Sequence, residues 1–139
     1  MSNNINKSSF KFRKFTILES YFHMTDRNDF DMNIKIDPHG FLSQKDKTFI
    51  LEQEIVISDD SGRFKIHIKS SAEFSFDEIP KDEASLSFFI INAPAIVFPY
   101  IRSYISTLTT LSGLSTITLP TLNLFDMSEV LKNNIQIVE

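Results

Sequence analysis

From Ala84 to Phe125 the chain runs 42 residues with one charged side chain, Arg102. Nothing else in the sequence constrains the fold as much, because a segment this long and this free of charge must be covered by something other than water. Within it, Val97, Ile101, Tyr104, Leu108 and Leu111 follow one another at intervals of four and three. That is a helical seam of the kind that packs against another helix. The opposite side carries Ser103, Ser106, Thr107 and Thr110, where a helix facing water normally places charges. One sheet and one such helix cannot hide the helix on all sides, so the simplest cover is a second copy of the chain. Val97, Ile101, Tyr104, Leu108 and Leu111 are thus the expected oligomer interface.

Proline and glycine set the limits of this helix. Pro94 suits a first helical turn, whereas Pro99 in a helix interior removes a hydrogen bond and bends the axis. The expectation is a kinked helix over about 82–112, with Gly113 as its stop. An extended apolar loop follows. Asp126 with Glu129 three residues on then forms a capping-box-like start for a short helix over about 127–134. Loops run on surfaces, and the apolar side chains Leu114, Ile117, Leu119, Leu122, Leu124, Phe125, Met127 and Leu131 point to a groove or an interface there, with plain core as the alternative.

The first half has strand periodicity. Phe64, Ile66, Ile68, Ser70, Ala72, Phe74 and Phe76 alternate with polar residues, and Phe49, Leu51, Gln53, Ile55 and Ile57 do so before them. The linking Asp-Asp-Ser-Gly at 59–62 is turn chemistry, so the two strands form an antiparallel hairpin. Phe30, Met32, Ile34 and Ile36 mark another strand, ended by the turn-like Asp-Pro-His-Gly at 37–40. Over residues 10–23 the phase slips near Arg13 and Lys14, which predicts a bulge. The fold class is α+β: four antiparallel strands over about 10–78, the long kinked helix, then the apolar loop and short helix over 113–135. At 139 residues this is most simply a single domain spanning 1–139.

Composition excludes more than it selects. The net charge is −4, with +3 over residues 1–27 and −7 over the rest, and no basic face with interleaved aromatics marks nucleic acid. There is no cysteine, hence no disulfide, thiol nucleophile or sulfur-bound metal, which fits a reducing compartment. No secretory signal is expected in MSNNINKSSFKF, which lacks an apolar stretch. The apolar run FFIINAPAIVF is broken by Asn92 and Pro94 and falls short of the ~18–20 residues of a membrane span, so no membrane insertion is expected. His23, His39 and His67 do not pair at ligand spacing, and no metal or other cofactor is expected. The serines of LSGLS lack a strand–elbow–helix setting, and three glycines leave little for a phosphate-cradling loop. The chain reads as a binding protein and not an enzyme, with an enclosed site for an apolar small ligand as one alternative.

The segment INAPAIVFPYIRSYISTL resembles the long-helix segment of the SecB export chaperones, which carries a Pro-x-x-[Leu/Val]-Phe-Pro-Tyr-x-Arg pattern. Pro94, Val97, Phe98, Pro99, Tyr100 and Arg102 match it, and Leu119, Leu122, Asn123 and Leu124 match the element before the family's last helix, with Pro120 shifted by one. The resemblance covers roughly residues 90–131. It departs from the family in a short polar HMTDRND segment between the first two strands and in FDEIPKDEAS before the helix. It implies a cytoplasmic, ATP-independent holdase that binds unfolded preproteins and keeps them competent for Sec-dependent export. It further implies a homotetramer built as a dimer of dimers, with the long helices between the sheets, and hand-over to the SecA motor partly through acidic residues on the open sheet face. The implied client groove takes Phe22, Phe30, Phe41, Leu119, Leu122, Leu124, Phe125, Met127 and Leu131. SecB-like chaperones also serve toxin–antitoxin systems, and a chaperone dedicated to one antitoxin is the alternative that the resemblance leaves open.

Overall fold

The computed structural model describes residues 10–25, 31–113, 116–120 and 122–138. Four long strands come first: β1 (Phe10–Met24), β2 (Met32–Ser43), β3 (Thr48–Asp59) and β4 (Phe64–Phe76). Helix α1 (Glu83–Leu111), helix α2 (Leu124–Asn133) and a short strand β5 (Ile135–Val138) follow. Among the described residues the sheet has five strands, not four, in the order β1-β4-β3-β2-β5. β2, β3 and β4 form a meander, β1 adds antiparallel to β4, and β5 adds parallel to β2. The expectation missed β5 because four residues carry too little periodicity to separate a strand from a helix end.

The hairpin at 59–62 forms as expected, closed by the Gly62 N–H donating to the Asp59 carbonyl at 3.0 Å. β1 has register shifts at Phe12/Lys14 and again at Ile17/Glu19. The first is the expected bulge, and the second places Leu18 out of register. The Asp-Pro-His-Gly turn does not form. β2 runs through it to Ser43, and the chain reverses at residues 44–47 instead. The Asn134 side chain donates to the Pro38 carbonyl at 3.1 Å, and the Gly40 N–H donates to the Asn134 carbonyl at 3.1 Å. Both groups face away from β3, so the N–H that Pro38 lacks belongs to the outer side of β2 and costs no bond to β3. Gly40 serves packing. A β-carbon there would lie 2.5 Å from Phe49 Cζ and 3.2 Å from Ile135 Cγ1.

α1 begins at Asp82, whose carboxylate accepts from the Ser85 N–H at 2.6 Å. It ends at Ser112, followed by Gly113 at φ 83°. Both Pro94 and Pro99 lie inside this one 29-residue helix. By length and composition α1 could cross a bilayer, despite its interrupted apolar run. One side of it packs on the sheet. Phe89 sits among Phe10, Phe49, Phe74 and Phe76, with ring centroids at 4.8, 4.8, 5.5 and 4.8 Å respectively. Ala93, Val97, Ile101 and Ile105 continue the same buried line over the sheet. α2 starts three residues before its expected start, because the Asn123 side chain accepts from the Phe125 and Asp126 N–H groups at 3.1 and 3.3 Å. Asp126 is therefore a first-turn residue of α2, where its charge suits the helix dipole, and not the cap.

Two variants probe these contacts. Gly40→Ala drives a methyl into the Phe49 ring and is expected to destabilise the fold by about 1–3 kcal/mol in chemical denaturation, as overpacking does. The Ser85 N–H holds the Asp82 carboxyl below its usual range. A lowered folded-state value gives stability that is present above the unfolded value and lost as pH falls through the folded one. Asp82→Asn keeps a capping oxygen without the charge, so the parent chain's advantage over it, compared by thermal melts, is expected at neutral pH and lost as the pH falls through the folded-state value.

Candidate functional site

The two helices cover one face of the sheet unequally. The buried line of α1 lies on β1, β4 and β3, and α2 lies beside β2. Between β2 and α2 runs a surface groove of about 290 Å³, lined by Ile34, Ile36, Leu122, Asn123, Asp126, Met127 and Val130. Ile34 and Ile36 are half-buried, while Asn123, Asp126 and Val130 form an exposed rim. The groove is continuous with a free strand edge. β5 pairs only with Gly40–Ser43, so from Met32 to Asp37 the outer side of β2 has no strand partner among the described residues. An apolar trough beside an unpaired strand edge can take an extended chain, with side chains in the trough and backbone bonds at the edge.

Beneath the groove lies a polar group in an apolar setting. Gln53 on β3 is 1% exposed. Its Nε2 donates to Met127 Sδ at 3.2 Å, and its Oε1 has no hydrogen-bond partner among the described residues. Sulfur is a weak acceptor, so one soft bond and one unmet carbonyl lie where α2 meets the sheet.

Only part of the expected groove gathers here. Leu122 and Met127 line it. Leu124 is half-buried, and Phe125 is 59% exposed on α2. Leu119 and Leu131 are 0% exposed and belong to the core below. Phe22 is on β1, at the opposite edge of the four long strands, with its ring against Phe64. Phe41 pairs with Ile50, one position off the helix-facing pair Leu42 and Phe49, which puts it on the sheet face turned away from the helices. Phe30 lies outside the described residues. Ile34, Ile36 and Val130 were not foreseen as lining. The alternation of Ile34 and Ile36 identifies a strand, but only the sheet order shows that this strand has a free edge.

The second surface is the outer side of α1. The seam expected between copies is largely internal. Val97 and Ile101 are 0% and 1% exposed against the chain's own sheet, and Tyr104 and Leu108 are half-buried. The Tyr104 hydroxyl donates to Ser20 Oγ at 2.8 Å. The correction has a simple cause: a heptad-like seam shows that a helix has a dry face, not which surface dries it. Of those five residues only Leu111, at 82%, stands exposed. The uncovered stripe instead runs through Phe88, Ile91, Ala95, Pro99, Arg102 and Ser103. Phe88 and Ile91 are 61% and 43% exposed, and Arg102 supplies the stripe's one charge. Phe98 is buried beneath it, while Tyr100 leans towards β1, 5.1 Å from Phe12 and 5.5 Å from Phe15.

The open sheet face is polar and of mixed sign. By register, Glu19, Asp37, Glu52, Glu54 and Glu73 share it with Lys14, Lys35, Lys65 and Lys69. Glu54 lies 2.6 Å from His67 Nε2. Among the described residues, no group of three histidine or acidic side chains could hold a metal.

The family model for SecB, preprotein translocase subunit SecB, matches residues 18–131. Among solved structures the chain is similar to the Mycobacterium tuberculosis Rv1957 SecB-like chaperone, determined in complex with a ChAD peptide from the Rv1956 HigA1 antitoxin. That match has a TM-score of 0.68 and 16% identity over 83% of this chain and 88% of the other. A protein of unknown function from Streptococcus agalactiae aligns with a TM-score of 0.47 and 8% identity, over 81% of this chain and 97% of that one. No curated protein sequence matches the chain.

Replacing Gln53 by Leu removes the unmet carbonyl and keeps most of the side-chain volume. Urea denaturation is expected to show a gain of about 1 kcal/mol, since an unsatisfied buried polar group costs roughly 1–3 kcal/mol. A loss of that size would mean that the amide is fully paired.

Proposed function

The chain belongs to the SecB family of preprotein translocase subunits, and on that premise we propose that it is an ATP-independent holdase for unfolded polypeptides awaiting export from the cytoplasm. The observation that carries this reading is the groove between β2 and α2 lying against an unpaired strand edge. Unfolded chains share no sequence, only apolar side chains and unpaired backbone. An apolar trough beside a free edge addresses both, and Met127 on its wall adapts its shape to different residues. Repeated along one client, weak contacts of this kind add through effective concentration. No catalytic step and no nucleotide enter this account.

The holdase works as an assembly of copies. The outer stripe of α1, with Phe88, Ile91 and Ala95 exposed, is the surface on which a second copy packs, and a dimer of dimers places each such helix between two sheets. A second reading is a chaperone dedicated to one partner, such as an antitoxin. It is favoured by the mixed charge of the open sheet face, where Lys14, Lys35, Lys65 and Lys69 lie among the acidic residues that a motor like SecA would meet. It is favoured too by the fold shared with a SecB-like chaperone that was determined with an antitoxin peptide.

Light scattering tests the proposal twice, through the mass of the protein and through the aggregation of a denatured client. Val130→Asp on the groove rim is expected to lower client affinity by about tenfold at unchanged mass. Ile91→Asp buries an unpaired charge between copies and is expected to reduce the mass. A monomeric parent chain that leaves client aggregation unaltered overturns the proposal. Pull-down separates the two client ranges: many precursors, or one protein.

A further inference from the structure

β5 occupies the edge of β2 immediately beyond the groove. β2 is 12 residues long, and β5 covers its last four, Gly40–Ser43. A client strand running along the edge from Met32 would meet β5 at Gly40. We propose that β5 is a built-in strap, a client-like segment of the chain itself that caps the binding edge and is displaced by longer or tighter clients. The inference rests on the client reading above.

The character of β5 supports this role. Its sequence, Ile-Gln-Ile-Val, is uncharged and apolar but for Gln136, the kind of chain that an apolar edge accepts. It is held loosely. Pairing is parallel, the weaker ladder per residue, and four residues long. Ile135 is half-buried, but Ile137 and Val138 are 63% and 37% exposed, in contrast with β4, whose inward side chains are closed off completely up to Phe74. Release of β5 therefore uncovers little apolar surface beyond Ile135 and costs little. What it frees is a continuous edge along the whole of β2. The anchor is Asn134, which accepts from the Gly40 N–H and donates to the Pro38 carbonyl. It also forms the last turn of α2 through its N–H to the Leu131 carbonyl. The wall of the groove and the strap are thus one continuous piece of chain, and movement of either pulls on the other.

The strap can be locked or loosened. Ser43 and Val138 are register partners, and adjacent strands lie ~4.8 Å apart, within the ~4.4–6.8 Å between α-carbons that a disulfide spans. The chain has no cysteine, so Ser43→Cys with Val138→Cys gives one defined bond. The probe is a fluorescently labelled peptide of alternating valine and threonine as long as β2. The oxidised pair is expected to bind it about tenfold more weakly than the same protein after reduction. The loosening variant follows from the ladder. Asn134 turns its carbonyl to β2, so Gln136 and Val138, on the same parity, do likewise. Gln136→Pro removes one of these N–H groups and is expected to tighten binding severalfold. Equal affinity of the oxidised and reduced forms, or weaker binding by Gln136→Pro, overturns the strap while leaving the holdase reading in place. Absence of binding by the parent chain and by every variant overturns both.

Discussion

The seat of Phe89 among four phenylalanine rings holds the architecture together. It joins α1 to β1, β3 and β4 at one point, in edge-to-face contacts that are worth about 0.5–1.5 kcal/mol per pair beyond the area they bury. With that point held, the rest of the helix follows along Ala93, Val97, Ile101 and Ile105. A helix so apolar would otherwise be equally at home in a bilayer. The ring cluster gives one side of it a complementary surface within the same chain.

Seating one side leaves the other. A helix has a full circumference and a sheet can cover only about half of it, so the stripe through Phe88, Ile91 and Pro99 follows geometrically from the docking. The same docking pushes α2 to the β2 side, where the sheet extends past the reach of α1. The groove is the seam left between a helix that arrives late in the chain and a strand edge that nothing fully covers. Both surfaces that carry the proposed activity are thus by-products of how one long helix sits on a sheet slightly too wide for it.

Most of the fold was legible in advance, and the reasons differ by element. The period-2 runs around Ile55 and Ile68 could be read because a strand with one dry face writes its orientation into alternate residues. The bulge at Arg13 showed as a slip of phase. Pro38 misled, because proline signals a turn or an edge equally well, and here the edge decided. Asp126 misled in a similar way. Asn123, three residues earlier, had the same capping chemistry, and nothing local ranked the two. The groove was the least legible. Leu119 and Leu131 look no different in sequence from Leu122, yet the first two are sealed in the core and the third lines the trough.

By itself the sequence determined that four long strands precede two helices, where α1 starts and stops, that this helix must be hidden, and, through Phe98, Pro99, Tyr100 and Arg102, the family it resembles. These are local properties: periodicity, caps, and a deficit of charge. Only the tertiary structure decided which side of the helix the sheet covers, that Val97 and Ile101 face inward while Phe88 and Ile91 do not, and that β5 returns to the edge of β2. Such choices depend on contacts between residues far apart in the chain. A side chain's apolarity states that it will be buried, but only the assembled surfaces state against what.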